Sequence, residues 1–271
     1  MLGAALLIGG VAALLWCERR RPLRHAFEPG PQRLARNVAL GAITAVTVSA
    51  IERPLVTSLA RAVEQRGWGL LPRLSLPATL KTALALILMD YTLYWWHVLL
   101  HRVPWLWRLH EPHHSDRDLD TSTGVRFHFG EFLASIPWRC VQIVAIGVTP
   151  RALSLWQKVT LAAVLFHHSN LRLPRATEQR LARFLITPRL HGTHHSIIRE
   201  ERDTNFSSAL TVWDRLHGTS RANLDDEFVI VGLAAHRKAA DVTLGKTLAL
   251  PFENRGTDDA IVSARRRYDG T

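Results

Sequence analysis

Residues 90–114 read DYTLYWWHVLLHRVPWLWRLHEPHH, and His97, His101, His110, His113 and His114 stand there beside an apolar run. Packing alone does not call for that density of imidazole. On a helix His97 and His101, at i and i+4, project from one face, the spacing two imidazoles need to share a metal ion. Asp90 and Tyr94 lie on the same stripe. A second set, His110, His113 and His114, follows, and His191, His194 and His195 repeat its H-x-x-H-H spacing far downstream. Two copies of that pattern plus one H-x-x-x-H are a strong metal-site signal.

Outward from this stretch the chain alternates apolar blocks with basic, polar segments. Of its 271 residues 47% are hydrophobic and 21% charged, which fits a membrane-embedded half joined to a polar half. The net charge of +11 suits either nucleic acid or anionic lipid. The aromatics sit in or beside the apolar runs instead of alternating with basic patches, so nucleic-acid binding is not expected. Cys17 and Cys140 both fall in apolar stretches, so neither a disulfide framework nor a thiolate metal site is expected. A metal here must be held by histidine.

The apolar N-terminus is followed by its positive charge, ERRRPLR, whereas a signal peptide carries it in front, so a short spanning segment is expected. The Arg-rich stretch 18–36 is placed in the cytoplasm by the positive-inside rule. A second span is expected over 37–59, broken near Glu52, Arg53 and Pro54. The Gly- and Pro-containing loop 60–75 then lies outside. Pro77 opens a third helix running to Arg102, long enough to cross the hydrocarbon core and deliver His97 and His101 inside. Trp95, Trp96, Trp105 and Trp107 read as interfacial aromatics. After the loop-like SDRDLDTST, apolar stretches 132–148 and 152–166 form a hairpin about Thr149–Pro150–Arg151, bringing His128, His167 and His168 to the same side. Beyond it, ATEQRLARFLI suits an amphipathic interfacial helix. Thr187 and Pro188 suit the start of a helix carrying His191, His194 and His195. EFVIVGL is a short strand or loop, and the tail from residue 254 is charged. The expected fold is all-α: a multi-pass membrane helical bundle with a cytoplasmic, histidine-rich cap. Its parts are N-terminal helices and basic loop (1–75), the region carrying the histidine motifs (76–219) and C-terminal tail (220–271).

The motifs DYTLYWWHVLLH, HEPHHS, RFHFGE, HHSNLRLP, TPRLHGTHHS and NFSSALTVWDRLHGT resemble the fatty acid hydroxylase and sterol desaturase superfamily, in order and over roughly residues 90–219. The resemblance implies a non-haem di-iron centre at the cytoplasmic face of the inner membrane. Such a centre uses O2 and external electrons to hydroxylate or desaturate a lipid C–H bond. Carried over by position, the ligands are His97, His101, His110, His113, His114, His191, His194 and His195, with His128 and His168 as additions. Phe129, Ser207 and His217 depart from the family pattern, and His217 is not expected to be a ligand. Pro112 is expected to disturb the helix around the second cluster.

Imidazole suits iron, zinc, copper and nickel alike, so zinc remains possible in a purified sample. Eight to ten histidines exceed what one ion uses, which argues for two. Asp90 is expected either to bond another helix or to accept a proton from a ligand imidazole. Glu111, Glu131, Asp90 and Asp214 could offset the cationic pair, and Asn170 could orient a ligand or cap a turn. His25, His217 and His236 read as surface histidines. No nucleotide-binding loop or haem motif is present, so electrons must come from a partner protein such as a ferredoxin, a cytochrome b5-like protein or a reductase. Two alternatives stand beside this reading. One is a metal-dependent membrane hydrolase in which Glu111 or Glu131 activates a bound water; the other is a non-catalytic membrane protein stapled by metal.

Overall fold

The computed structural model describes residues 2–28, 30–221 and 229–253, and among these no strand forms, only isolated bridges. Seven helices make the bundle: α1 (Leu2–Arg20), α2 (Pro31–Thr47), α3 (Arg53–Arg66), α4 (Ala78–Arg102), α5 (Pro104–His114), α6 (Phe129–Ile146) and α7 (Pro150–His168). Short helices α8 (Arg175–Leu181), α9 (Pro188–His194), α10 (Arg199–Arg202), α11 (Val212–Leu216) and α12 (Leu244–Ala249) build the cap. The chain is an all-α, multi-pass membrane protein. Pro31–Arg73, Ala78–Arg102 and Phe129–Ile146 are long and apolar enough to cross a bilayer. The hairpin partner α7, carrying Arg151, Gln157 and Lys158, is not among them.

Burial at helical spacing explains the packing. Val56, Ala60 and Val63 of α3 face Ala85 and Met89 of α4, Ile143 and Ile146 of α6, and Ala152, Leu153 and Trp156 of α7 in one buried cluster. At one end of the bundle the chain turns through Gly67–Gly69 and Gly147. A Cβ on Gly69 would sit 2.3 Å from the Gly147 nitrogen, so only glycine lets these two turns touch. The opposite end collects the C-termini of α4 and α7 and the N-terminus of α6. All the predicted histidines outside the cap therefore meet there, as the topology required.

The expected break near Glu52 does not occur. A π turn over Val48–Glu52 joins α2 to α3, with the Arg53 amide bonding the Val48 carbonyl. The wider turn accommodates Pro54, whose missing N–H would otherwise interrupt a regular ladder. Three further expectations are corrected. ATEQRLARFLI is helical only through Leu181, after which Leu185 bridges Leu210. Trp96 is buried and packs against Trp138, while Trp95 and Trp105 are exposed. SDRDLDTST is no solvated loop: Asp116 accepts from Arg33, Asn37 and Thr123 in a buried clamp. Of EFVIVGL, the described residues only bridge 195–197, through Ile197 N to the Ile230 carbonyl and Gly232 N to the His195 carbonyl. Its first two residues, 227 and 228, and the tail from 254 lie outside the described residues.

Candidate metal centre

Nine of the ten predicted ligands converge, in two adjoining groups. His97, His101, His110, His114 and His194 form one; His113, His168, His191 and His195 form the other. Within each group the ligand nitrogens lie within 4.8 Å of one another, and every ligand is histidine. The two H-x-x-H-H motifs each serve both groups. Consecutive helical residues point about 100° apart, so α5 sends His110 and His114 to the first group and His113 to the second. The α9 motif does the converse, sending His194 to the first group and His191 and His195 to the second. The rings of His114 and His195 stack at 4.3 Å between centroids where the groups touch. Pro112 does not break α5: the helix ends two residues later, and the Pro112 carbonyl accepts from Ser115 Oγ and Arg126 Nε.

The outward nitrogens fix the tautomers. Nδ1 of His97, His113, His168 and His194 donates to the carbonyl oxygens of Phe206 (2.7 Å), Arg126 (3.1 Å), Val164 (2.8 Å) and Thr204 (2.8 Å). A carbonyl only accepts, so these rings hold their proton outside and aim the Nε2 lone pair inward. Nδ1 of His110 meets Glu131 Oε2 at 3.0 Å, and that of His101 meets Asp203 Oδ1 at 3.4 Å. Inside, Nε2 of His97, His101 and His194 is buried with no partner in the protein. Nε2 of His168 stands 3.0 Å from that of His113 and from that of His191, and His191 stands 3.2 Å from His195. His113 and His168 both keep their proton on Nδ1, so two lone pairs oppose each other at 3.0 Å. Only a cation between them relieves that repulsion. Two nitrogens each at about 2.0–2.1 Å from one ion, at right angles, stand about 3 Å apart, so the residues fit a metal. Burial first, and neighbouring imidazoles second, push His113, His114, His191, His194 and His195 well below the ordinary histidine value, which keeps them neutral and able to ligate.

The tenth candidate, His128, is not brought to either group. Its Nδ1 caps α6 by accepting from Gly130 N, and its Nε2 donates to the Leu248 carbonyl, so both nitrogens are already engaged. Asp90 touches no imidazole; its Oδ2 accepts from Trp213 Nε1 (2.7 Å) and Leu210 N. Asp214 accepts from the amides of Phe206 and Ser207 and so steadies the carbonyl that His97 uses. Asn170 ties Arg24 to the bundle through its amide group instead of orienting a ligand. His217 bonds Tyr91 Oη, and His25 is exposed, as expected. His236, expected at the surface, is buried with Nε2 3.1 Å from Glu111 Oε1. His167 is buried beside His191 but belongs to neither group. Asp203 and the four acceptor carbonyls were missed: backbone oxygens leave no mark in a sequence, and Asp203 sits in REERD with no recognisable spacing.

The profile of the fatty acid hydroxylase family matches residues 82–219, which contain all nine converging histidines. The chain belongs to that family. It is 31% identical over 186 residues to ornithine lipid hydroxylase OlsE of Rhizobium tropici, covering 68% of this chain and 54% of that one. Alkylglycerol monooxygenase of Homo sapiens is 28% identical over 144 residues, covering 53% and 31%. Cholesterol 25-hydroxylase of Mus musculus is 25% identical over 142 residues, covering 51% and 46%. The chain thus spans about half or less of the length of these relatives. No solved structure gives a significant match.

Proposed function

We propose that this protein is a membrane-bound, non-haem di-iron monooxygenase that hydroxylates a lipid C–H bond with O2 and two electrons from a partner protein. The balance is R–H + O2 + 2 e⁻ + 2 H⁺ → R–OH + H2O. The observation that carries the proposal is the pair of facing lone pairs of His113 and His168, with the Nε2 atoms of His191 and His195 crowded against them. That arrangement is stable only around cations. His97, His101, His110, His114 and His194 would hold one ion and His113, His168, His191 and His195 the other. Iron there supplies the one-electron steps and O2 activation that zinc, with no accessible redox chemistry, does not. Five nitrogens in the first group also exceed the four ligands of a structural zinc site.

This chain's own contribution is orientation and dryness. Carbonyls and the carboxylates of Glu131 and Asp203 fix ring tautomers from outside, and burial keeps the imidazoles neutral. The Arg-rich segment folds against the histidine end, with Arg24 N on Asn170 and Asn170 N on Glu18, which supports a cytoplasmic site in the inner membrane. A hydrolase would need Glu111 or Glu131 beside a bound water. Glu131 instead holds His110 from its Nδ1 side, and Glu111 engages His236. The relatives carry hydroxylase and monooxygenase names, which favours oxygen insertion over desaturation and over a non-catalytic staple. Membranes containing the chain, supplied with 18O2 and a reduced ferredoxin, should yield a lipid carrying one 18O. His97→Ala should abolish the label without loss of membrane insertion. Label that persists in His97→Ala membranes, or arrives from 18O-water, overturns the proposal.

A further inference from the structure

Helix α4 sets a depth scale for the cap. Its 25 residues are about 37 Å long against a hydrocarbon core of about 30 Å, so about 4 Å projects at each end. The α11 region is fastened well down that helix. Trp213 Nε1 and Leu210 N donate to Asp90, His217 bonds Tyr91 Oη, and the His217 ring meets Trp95 at 4.8 Å. Asp90 and Trp95 precede Arg102 by twelve and seven residues, so these fastenings lie about 10–18 Å from the end of α4. They therefore fall inside the hydrocarbon boundary. At that level the chain leaves Phe184 69%, Leu216 64% and Val212 40% exposed.

We infer that α11 and the turn at Phe184 form an edge of the cap embedded in the bilayer leaflet at the histidine end. Its occupant is phospholipid. Arg180 and Arg183 are exposed beside the apolar residues and can reach phosphate headgroups along their stems, while Arg215 folds back onto the Arg183 carbonyl and Thr211. The acidic groups of the region face inward instead: Glu178 pairs with Arg189 and Asp214 holds backbone amides. The backbone tolerates lipid because it satisfies itself, with Thr211 N on the Phe184 carbonyl, His217 N on Trp213 and Thr219 N on Asp214. The inference rests on α4 spanning the bilayer and not on the chemistry at the histidines.

The test uses the full chain, with Cys17→Ser and Cys140→Ala, in phosphatidylglycerol–phosphatidylcholine vesicles. A solvent-sensitive fluorophore is placed at Leu216→Cys, at Phe184→Cys, or at Lys238→Cys, which is exposed away from this edge. Nitroxide on lipid acyl chains should quench the 216 and 184 probes severalfold more than the 238 probe, and aqueous iodide should show the reverse order. Equal access of iodide to all three probes overturns the inference. Shielding of 216 and 184 from both quenchers overturns it too, since the occupant is then protein. None of these readings depends on metal or turnover, so failure here leaves the hydroxylase proposal standing, and the converse holds.

Discussion

The nine-histidine core and the clamp of Arg33, Asn37, Asp116 and Arg126 are neighbours, both buried and both dense in polar atoms, yet their donors and acceptors are arranged in opposite ways. In the clamp every group is answered. Arg126 donates to the Pro112 carbonyl, Asn37, Ser115 and Thr247, and Asp116 accepts from Arg33, Asn37 and Thr123. Burial alone would raise the Asp116 carboxyl, but Arg33 and Arg126 beside it outweigh burial and hold it below the usual range. In the core the outward Nδ1 of His97, His113, His168 and His194 is answered by a carbonyl, whereas the inward Nε2 of His97, His101 and His194, and Nδ1 of His114 and His191, have no partner in the protein. Buried polar density thus marks two different things: a closed network stabilises the fold, and an open one waits for a ligand. Arg126 joins the two, since its side chain serves the clamp while its carbonyl holds His113.

That contrast makes predictions of decreasing size. His113→Ala should remove the ion of the second group and reduce lipid hydroxylation to background, while thermal unfolding of the metal-free protein changes little; metal analysis and calorimetry check both halves. Asp116→Ala should act the other way. Arg33 keeps Asp120 but loses the buried carboxylate it shares with Asn37 and Thr123, which costs about 3 kcal/mol, read as a lowered melting temperature, with metal stoichiometry kept in whatever protein folds. Glu131→Gln should weaken metal affinity about 10–100-fold, because the partner of His110 is changed and no ligand is lost; a chelator competition measures it.

Acid should distinguish the regions again. Burial lowers His113 and His114 of α5 and His191 of α9 when folded, so the unfolded chain binds more protons below the ordinary value of 6.5. Stability from this source is then complete above that value and is lost as pH falls through it, in the metal-free protein first. Asp116, lowered as a carboxylate, keeps its contribution to much lower pH. Denaturant midpoints of the metal-free protein between pH 7 and 5 should fall, and a flat profile would remove the open-network reading. The smallest effect belongs to His128→Ala, which loses a helix cap worth about 1 kcal/mol and leaves both ions in place.

How much of this was legible in the sequence follows from what each feature depends on. His97 and His101 at i,i+4 and the two H-x-x-H-H motifs depend on local helical spacing, so those eight histidines could be singled out as candidates and the all-α bundle could be read, while His168 was added only by the family resemblance. His128 could not be told from a ligand, because a histidine that caps a helix and one that binds metal look alike until Gly130 and Leu248 are placed. His236 was read as superficial because its partner, Glu111, is distant in sequence. The clamp was read as a loop for the same reason: SDRDLDTST is polar, and only the arrival of Arg33 and Asn37 from α2 buries it. The π turn at Glu52 escaped because proline spacing signals interruption without saying whether a helix stops or widens.

Metal analysis of the purified, iron-loaded protein tests the central claim most directly. Two iron equivalents per chain, falling to one in His168→Ala and with His128→Ala unchanged at two, is the result predicted. A single equivalent in the unaltered protein, or two that survive His168→Ala, would contradict a centre built from two histidine groups.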